Sequence, residues 1–285
     1  MSERFENKIQ RLKLDNFTCF SKTIFEFSSG INVFIGENGT GKTHILKALY
    51  GMSSTISSPE FQQLLQADFV SLTKTAEVIG TQPHYLYETF FSTFSAKTPK
   101  DFIKYDETET EIELLVNGAG FGFHIDKKIV APIISLDNSL SVKPLFIPSK
   151  EIISTQRGFI PYYLKQVNDY DRTYFDLAVN LQSTELKNPP IDLLRDFEDA
   201  LGFSVVLKQD GFFYIKDKFN KETKSTFEAE GIRKLAQVLR LVMNGSLAKD
   251  TILFWDEPEV NLNPRYIKSS YFYDYICNSN TFLIK

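Results

Sequence analysis

A glycine-spaced loop, Gly36-Glu37-Asn38-Gly39-Thr40-Gly41-Lys42-Thr43, leaves few architectures open to this chain, because it fills the pattern G-x-x-x-x-G-K-[S/T]. Ahead of it, Ile31-Asn32-Val33-Phe34-Ile35 is an apolar, partly β-branched run that reads as a buried strand. Behind it, His44-Ile45-Leu46-Lys47-Ala48-Leu49-Tyr50 places apolar residues at helical spacing. Strand, loop and helix in that order bend a backbone around an anion. Gly36, Gly39 and Gly41 let the chain turn tightly with no Cβ in the way, so that loop N–H groups and the positive helix end face phosphates. The expected cradle is Gly36, Asn38, Gly39, Thr40, Gly41, Lys42, Thr43 and His44. Lys42 is expected to reach the β- and γ-phosphates, and the Thr43 hydroxyl to coordinate Mg²⁺. The competing reading is a glycine-rich turn that holds nothing, and the flanking strand and helix argue against it.

Length and composition narrow the class further. A chain of 285 residues with 42% hydrophobic content can bury one large core or two modest ones. The net charge of −4 provides no global positive field of the kind that marks a nucleic-acid binder, although a local basic face stays open. Cys19 and Cys277 lie far apart, with no C-x-x-C partner and no histidine at metal spacing, and read as reduced thiols of a cytoplasmic protein. The charged start Met1 to Lys8 lacks an apolar signal region, and no run approaches the roughly 18 apolar residues of a membrane span. With 26 Phe and 13 Tyr, either the core or a partner surface is aromatic-rich.

Period and turn chemistry order the rest. Alternation over Ile9 to Leu14 and Thr23 to Phe27 predicts a hairpin that leads into the loop strand. Residues 58–98 read as helical, with one stripe of Phe61, Leu64, Leu65, Phe69, Val70 and Leu72 and a second, aromatic one from Tyr85 to Phe94, both read as core. Glu111 to Val116 and Phe121 to Ile125 form a second expected hairpin through Asn117-Gly118-Ala119-Gly120, with His124 an ordinary strand residue. Pro144 to Pro148 should emerge at a sheet edge, and Gln156 reads as a solvated loop residue. Ile191 to Leu201, after Pro189-Pro190, reads as a helix, and Ser204 to Leu207 with Phe212 to Ile215 as a third hairpin through Gln209-Asp210-Gly211. No histidine sits at metal-ligand spacing from another.

More than two hundred positions after Lys42, Thr251-Ile252-Leu253-Phe254-Trp255 is an apolar strand that ends in Asp256-Glu257. A carboxylate at such a strand tip can hold Mg²⁺ through its water shell, and the next can orient and deprotonate an attacking water. Asp256 takes the first role and Glu257 the second. The plainer alternative is a strand entering an acidic turn, but phosphoryl transfer needs both halves and the chain has both.

Three stretches resemble a known family. The turn Asp15-Asn16-Phe17-Thr18-Cys19-Phe20 is similar to the "NF-x-x-F" turn that opens ABC-type ATPase heads of SMC and DNA-repair proteins, with Thr18 where those often carry a basic residue. The run Asp256-Glu257-Pro258-Glu259-Val260-Asn261-Leu262-Asn263-Pro264 resembles the "DEPE-x-x-L-x-P" run of the overcoming-lysogenization-defect and SMC-like group, many of whose members act against phage. Ala229-Glu230-Gly231-Ile232-Arg233-Lys234 looks like that group's ABC signature, with Ala229 where relatives often have Ser. The resemblance implies an α/β P-loop head with mixed sheet, hairpins and an inserted helical lobe. Residues 1–57 and 206–285 would be its nucleotide core and 58–205 the insertion. It further implies ATP and Mg²⁺ as ligands and a head-to-tail homodimer in which Gly231 faces the partner's γ-phosphate and Asn261 to Pro264 cross to the second subunit. An effector protein such as a nuclease, and DNA or RNA, are the expected partners. Relatives place a switch histidine after the strand that Thr281 to Ile284 would form, and no histidine follows His124, so a truncated or slow ATPase is expected. The alternative is an ATP-binding regulatory clamp with negligible turnover.

Overall fold

The computed structural model describes residues 8–66, 84–126, 130–135, 142–166, 169–263 and 281–284. The stripe residues Phe69, Val70 and Leu72, Pro264, and Tyr266 to Ile276, a stretch whose sequence reads as a helix, lie outside them. By its internal contacts the chain divides into two compact units, one running to Pro144 and the other from Leu145 to Leu283. Among the described residues no helix is long and apolar enough to cross a membrane.

In the first unit, strands β1 (Ile9–Asp15) and β2 (Thr23–Glu26) form the first expected hairpin, with Leu12 opposite Phe25. Period-2 alternation buries Leu12 and Leu14 on one face of β1, and an irregularity in the pairing at its other edge between Ile9 and Arg11 resets the phase so that Ile9 is buried as well. Its other edge pairs with β4 (Glu109–Val116), which turns back into β5 (Ala119–Asp126) and then β6 (Val130–Ser135), giving an antiparallel sheet of order β2-β1-β4-β5-β6. The β4–β5 connection is tighter than expected. Asn117 and Gly118 take φ of 51° and 80°, the two-residue turn that matches strand twist, so Ala119 already pairs with Val116.

Helix α1 (Lys42–Ser57) is buried along most of its length from Ile45 to Ile56 and anchors the loop before it. Helix α2 (Pro59–Gln66) follows, and a π-helical turn at Tyr87–Phe91 packs against α1. The phenylalanines condense into one core: the Phe17 and Phe102 rings stack at 5.9 Å, Phe90 lies 5.1 Å from Phe102 and 5.6 Å from Phe123. Tyr85, Phe90 and Phe91 of the aromatic stripe are thus buried in the core, as its spacing suggested. Strand β3 (Ile31–Phe34) departs from the fully buried strand expected of it. Alternation turns Phe34 onto the rings of Phe25 and Phe27, at 6.0 and 6.1 Å, while Val33 and Ile35 on the opposite face are 51% and 76% exposed.

In the second unit, β7 (Lys143–Ile147) lies at the edge of a row in which its neighbour is β11 (Thr251–Trp255), followed by β12 (Thr281–Ile284) parallel to β11. All of β11 is buried, as an uninterrupted apolar strand should be. Helices α3 (Phe159–Leu164), α4 (Arg172–Gln182) and α5 (Ile191–Leu201) fill the lobe region. The Asp171 carboxylate accepts from the Thr173 N–H at 2.9 Å to cap α4, and Gly202 ends α5 at φ 79°. The third hairpin forms from β8 (Phe203–Leu207) and β9 (Phe213–Asp217), extended by β10 (Glu222–Lys224). Helix α6 (Glu230–Met243) runs through the core and is buried at every position from Lys234 to Val242. Gln156 corrects an expectation: it is 1% exposed rather than solvated, because the backbone of α4 docks on it and its amide donates to the Ala178 carbonyl at 2.5 Å.

Candidate functional site

The glycine loop joins β3 to α1 in the order the motif requires. Gly39 has φ 80° and Gly41, at the N-cap of α1, has φ 90°, both left-handed. No side chain caps the helix start and its first turn holds no acidic residue, so nothing in the helix competes for an anion there. Residues Gly36 to Thr40 are exposed. The Lys42 ammonium folds back over the loop and donates to the carbonyls of Gly36 (2.6 Å) and Glu37 (2.8 Å), while the Thr40 hydroxyl donates to Glu37 at 2.9 Å. Asn38 stands exposed on the loop, and Thr43 is half-buried in the first turn of α1.

The turn that carries Thr18, Cys19 and Phe20 rests on this loop. A Cβ on Gly41 would overlap the Cys19 sulfur and come within 2.7 Å of the Phe20 ring, so glycine is required there by space as well as by φ. His44 Nδ1 and the Thr18 hydroxyl are 3.0 Å apart. Burial, and secondarily the Lys47 charge, hold the His44 pKa below the usual imidazole value. The turn is fixed from behind, since the Thr18 N–H donates to the Phe102 carbonyl and the Lys104 N–H to that of Asn16, each at 2.8 Å.

The second unit holds the acidic pair. Asp256 follows the last residue of β11, is 8% exposed, and its N–H donates to the Ile147 carbonyl at 2.9 Å. Glu257 turns the chain with φ 50° and is partly exposed. A tight turn follows, with Val260 N–H donating to Glu257 O (3.3 Å), Leu262 N–H to Glu259 O (3.1 Å), and Asn261 at φ 64°. The start of α6 packs against it. A Cβ on Gly231 would overlap the Asn261 carbonyl oxygen, and the Lys234 ammonium donates to the carbonyls of Val260 (2.9 Å) and Glu257 (3.3 Å). Burial pulls the Lys234 pKa down. The sequence places Lys234 in the signature-like stretch without indicating that it is buried. Its charge beside the apolar stripe of α6 is a second signal, and what buries it is a turn more than twenty residues further on.

The structure therefore brings Gly36 through His44 together in one unit, and Gly231 with the Asp256-Glu257 turn in the other. Among the described residues no three His, Cys, Asp or Glu gather as a metal cluster.

A family model described as the AAA ATPase domain matches residues 8–189. The chain is similar to the DNA replication and repair protein RecF of Clostridioides difficile strain 630, 27% identical over 223 residues that cover 73% of this chain and 51% of the relative. It is also similar to the DNA double-strand break repair Rad50 ATPase of Methanococcus maripaludis, 25% identical over 227 residues, 71% of this chain and 21% of the relative. The chain thus spans half the length of the first relative and a fifth of the second. Among solved structures, the Smc head domain of Pyrococcus furiosus, bound to the C-terminal domain of ScpA, superposes with a TM-score of 0.56 at 12% identity, over 98% of this chain and 89% of that one. At that identity the likeness concerns the fold, which is that of a mixed α/β ATPase head.

Proposed function

The chain belongs to the AAA ATPase domain family, and on that footing we propose that it binds and hydrolyses ATP as an ABC/SMC-like ATPase. The observation that carries this reading is the loop from Gly36 to Thr43, with two left-handed glycines, an uncapped helix start and a lysine resting on neutral carbonyls. A phosphate oxygen is a stronger acceptor than either carbonyl, because a hydrogen bond to a charged acceptor is about twice as strong as a neutral one. In the proposal Lys42 exchanges Gly36 and Glu37 for the β- and γ-phosphates, and the loop amides of Asn38 to Thr43 and of His44 hold the rest. Glu257 orients the attacking water and takes its proton.

The donor set fits Mg²⁺, which is held by one or two protein oxygens plus substrate phosphates rather than by a cage of protein ligands. Thr43 and Asp256 would supply those oxygens, and the ion would neutralise charge on the phosphates. The nucleotide core is assigned to residues 1–57 and 206–285 and the insertion to 58–205. ATP-dependent homodimerisation, with Gly231 and Asn261 to Pro264 at the subunit contact, belongs to the same reading. So do a cytoplasmic setting and an effector controlled by the dimer. RecF and Rad50 are named for DNA repair, which supports a DNA-associated task. The Asp256-Glu257-Pro258-Glu259 run motivates an antiphage variant of it.

An ATP titration by calorimetry tests the reading. Lys42→Ala is expected to lose ATP binding while its circular dichroism stays that of the wild type, because Lys42 holds only loop carbonyls and no core. Equal affinity in a folded Lys42→Ala protein sinks the assignment.

A further inference from the structure

Helix α6 meets the acidic turn at two successive levels. At the first, Gly231 lets the Asn261 carbonyl approach where any side chain would stand. One turn on, Lys234, 1% exposed, extends its ammonium to the carbonyls of Glu257 and Val260. Those two carbonyls bracket the turn, and two of its non-glycine residues, Glu257 and Asn261, are left-handed, a conformation that L-residues adopt only when their surroundings hold them. We propose that Lys234 is a positioning residue for Glu257: it pins the backbone from which that carboxylate projects, so that hydrolysis depends on α6 staying docked against the turn.

This rests on the hydrolytic reading of Glu257. Its independent support is the chemistry of the contact. A buried ammonium is ordinarily paired with a carboxylate, whereas the hydrogen bonds of Lys234 among the described residues go to main-chain carbonyls. Burial is also the largest influence on its pKa and lowers it, opposed by the charges of Glu230, Glu257, Glu259 and Asp256. The charged form is therefore disfavoured on balance where it sits, and an apolar side chain of similar length would serve packing at least as well. An ammonium at this position is better explained by what it holds than by stability.

The test is Lys234→Met in the full chain, with Glu257→Gln as its control. Lys234→Met is expected to keep ATP affinity and KM within about twofold while kcat falls by about 10²-fold, the cost of a misplaced catalytic group. Deuterium uptake by the amides of residues 257–262 should rise in the same variant. A folded Lys234→Met with wild-type kcat overturns the inference, as does a kcat loss matched by an equal loss of ATP affinity, which would mark a merely structural role. Should the variant not fold, uptake in the wild type decides. The Val260 and Leu262 amides are expected to be protected together with α6, and free exchange there contradicts the clasp. If Glu257→Gln turns over like the wild type, the hydrolytic reading fails and the inference with it. If Glu257→Gln is inactive and Lys234→Met is not, the inference alone fails.

Discussion

Gly39 and Gly41 have similar backbone angles in the same loop but different neighbours. A Cβ on Gly39 meets open space, so Gly39→Ala should cost only the left-handed conformation, about 1–2 kcal/mol. Gly41→Ala adds an overlap with Cys19 and Phe20 and should cost more, pushing the Thr18 to Phe20 turn off the loop and weakening ATP binding along with stability. Denaturant melts and ATP titrations of the two variants check this, and equal losses would contradict it. The motif made both glycines legible. It could not reveal why the second tolerates nothing else, because the obstruction comes from a turn twenty positions upstream. The burial of Gln156 and of Lys234 was illegible for the same reason, as each is covered by a segment distant in sequence. Gly231 carries a lesson for mutagenesis. Its missing side chain makes room for the Asn261 carbonyl of the same chain, so a bulky substitution would disturb the acidic turn before reporting on any dimer.

Among the elements, those with strong local signals were legible: three hairpins with alternating strands, two of them closed by Asn117-Gly118 and Asp210-Gly211, the β11 strand, and helices α1 and α5. Strand β10, the three polar residues Glu222 to Lys224, has no pattern of its own and exists because β9 offers it an edge. Helix α4 could have been found, since Asp171 is a capping residue and Leu177, Ala178 and Leu181 share a face. The β1–β4 pairing allows a quantitative test. The Lys13 ammonium bridges Glu111 and Glu113 at 2.5 and 2.6 Å, and these hydrogen bonds, Glu111 first, raise its pKa from 10.5 to about 12. A lysine pKa raised by folding stabilises the native state fully below the unfolded value of 10.5, and that stabilisation is lost as pH climbs toward 12. Because the Lys13 side chain is 27% exposed, screening limits the effect, and Lys13→Met should cost about 0.5–1 kcal/mol at neutral pH. Urea melts at pH 7 and pH 12 check it: the difference between wild type and variant should shrink at the higher pH, and a constant difference would contradict the pairing.

For the molecule as a whole, the proposed function gives phosphate binding to the loop Gly36–Thr43 and activation of the attacking water to Glu257. It also predicts a state that can be trapped. Glu257→Gln retains the shape of the side chain but removes the base, so the variant should bind ATP without cleaving it and accumulate as a dimer in light scattering with ATP and Mg²⁺. A monomer at every concentration would argue against the proposed subunit contact. The central claim is hydrolysis that depends on Glu257, and the rate of phosphate release at saturating ATP and Mg²⁺ tests it most directly. The wild type should release phosphate steadily, and Glu257→Gln should do so about 10²–10⁴-fold more slowly at undiminished ATP affinity, the usual worth of a general base. Equal rates from the two proteins, or no release from either, would contradict the account.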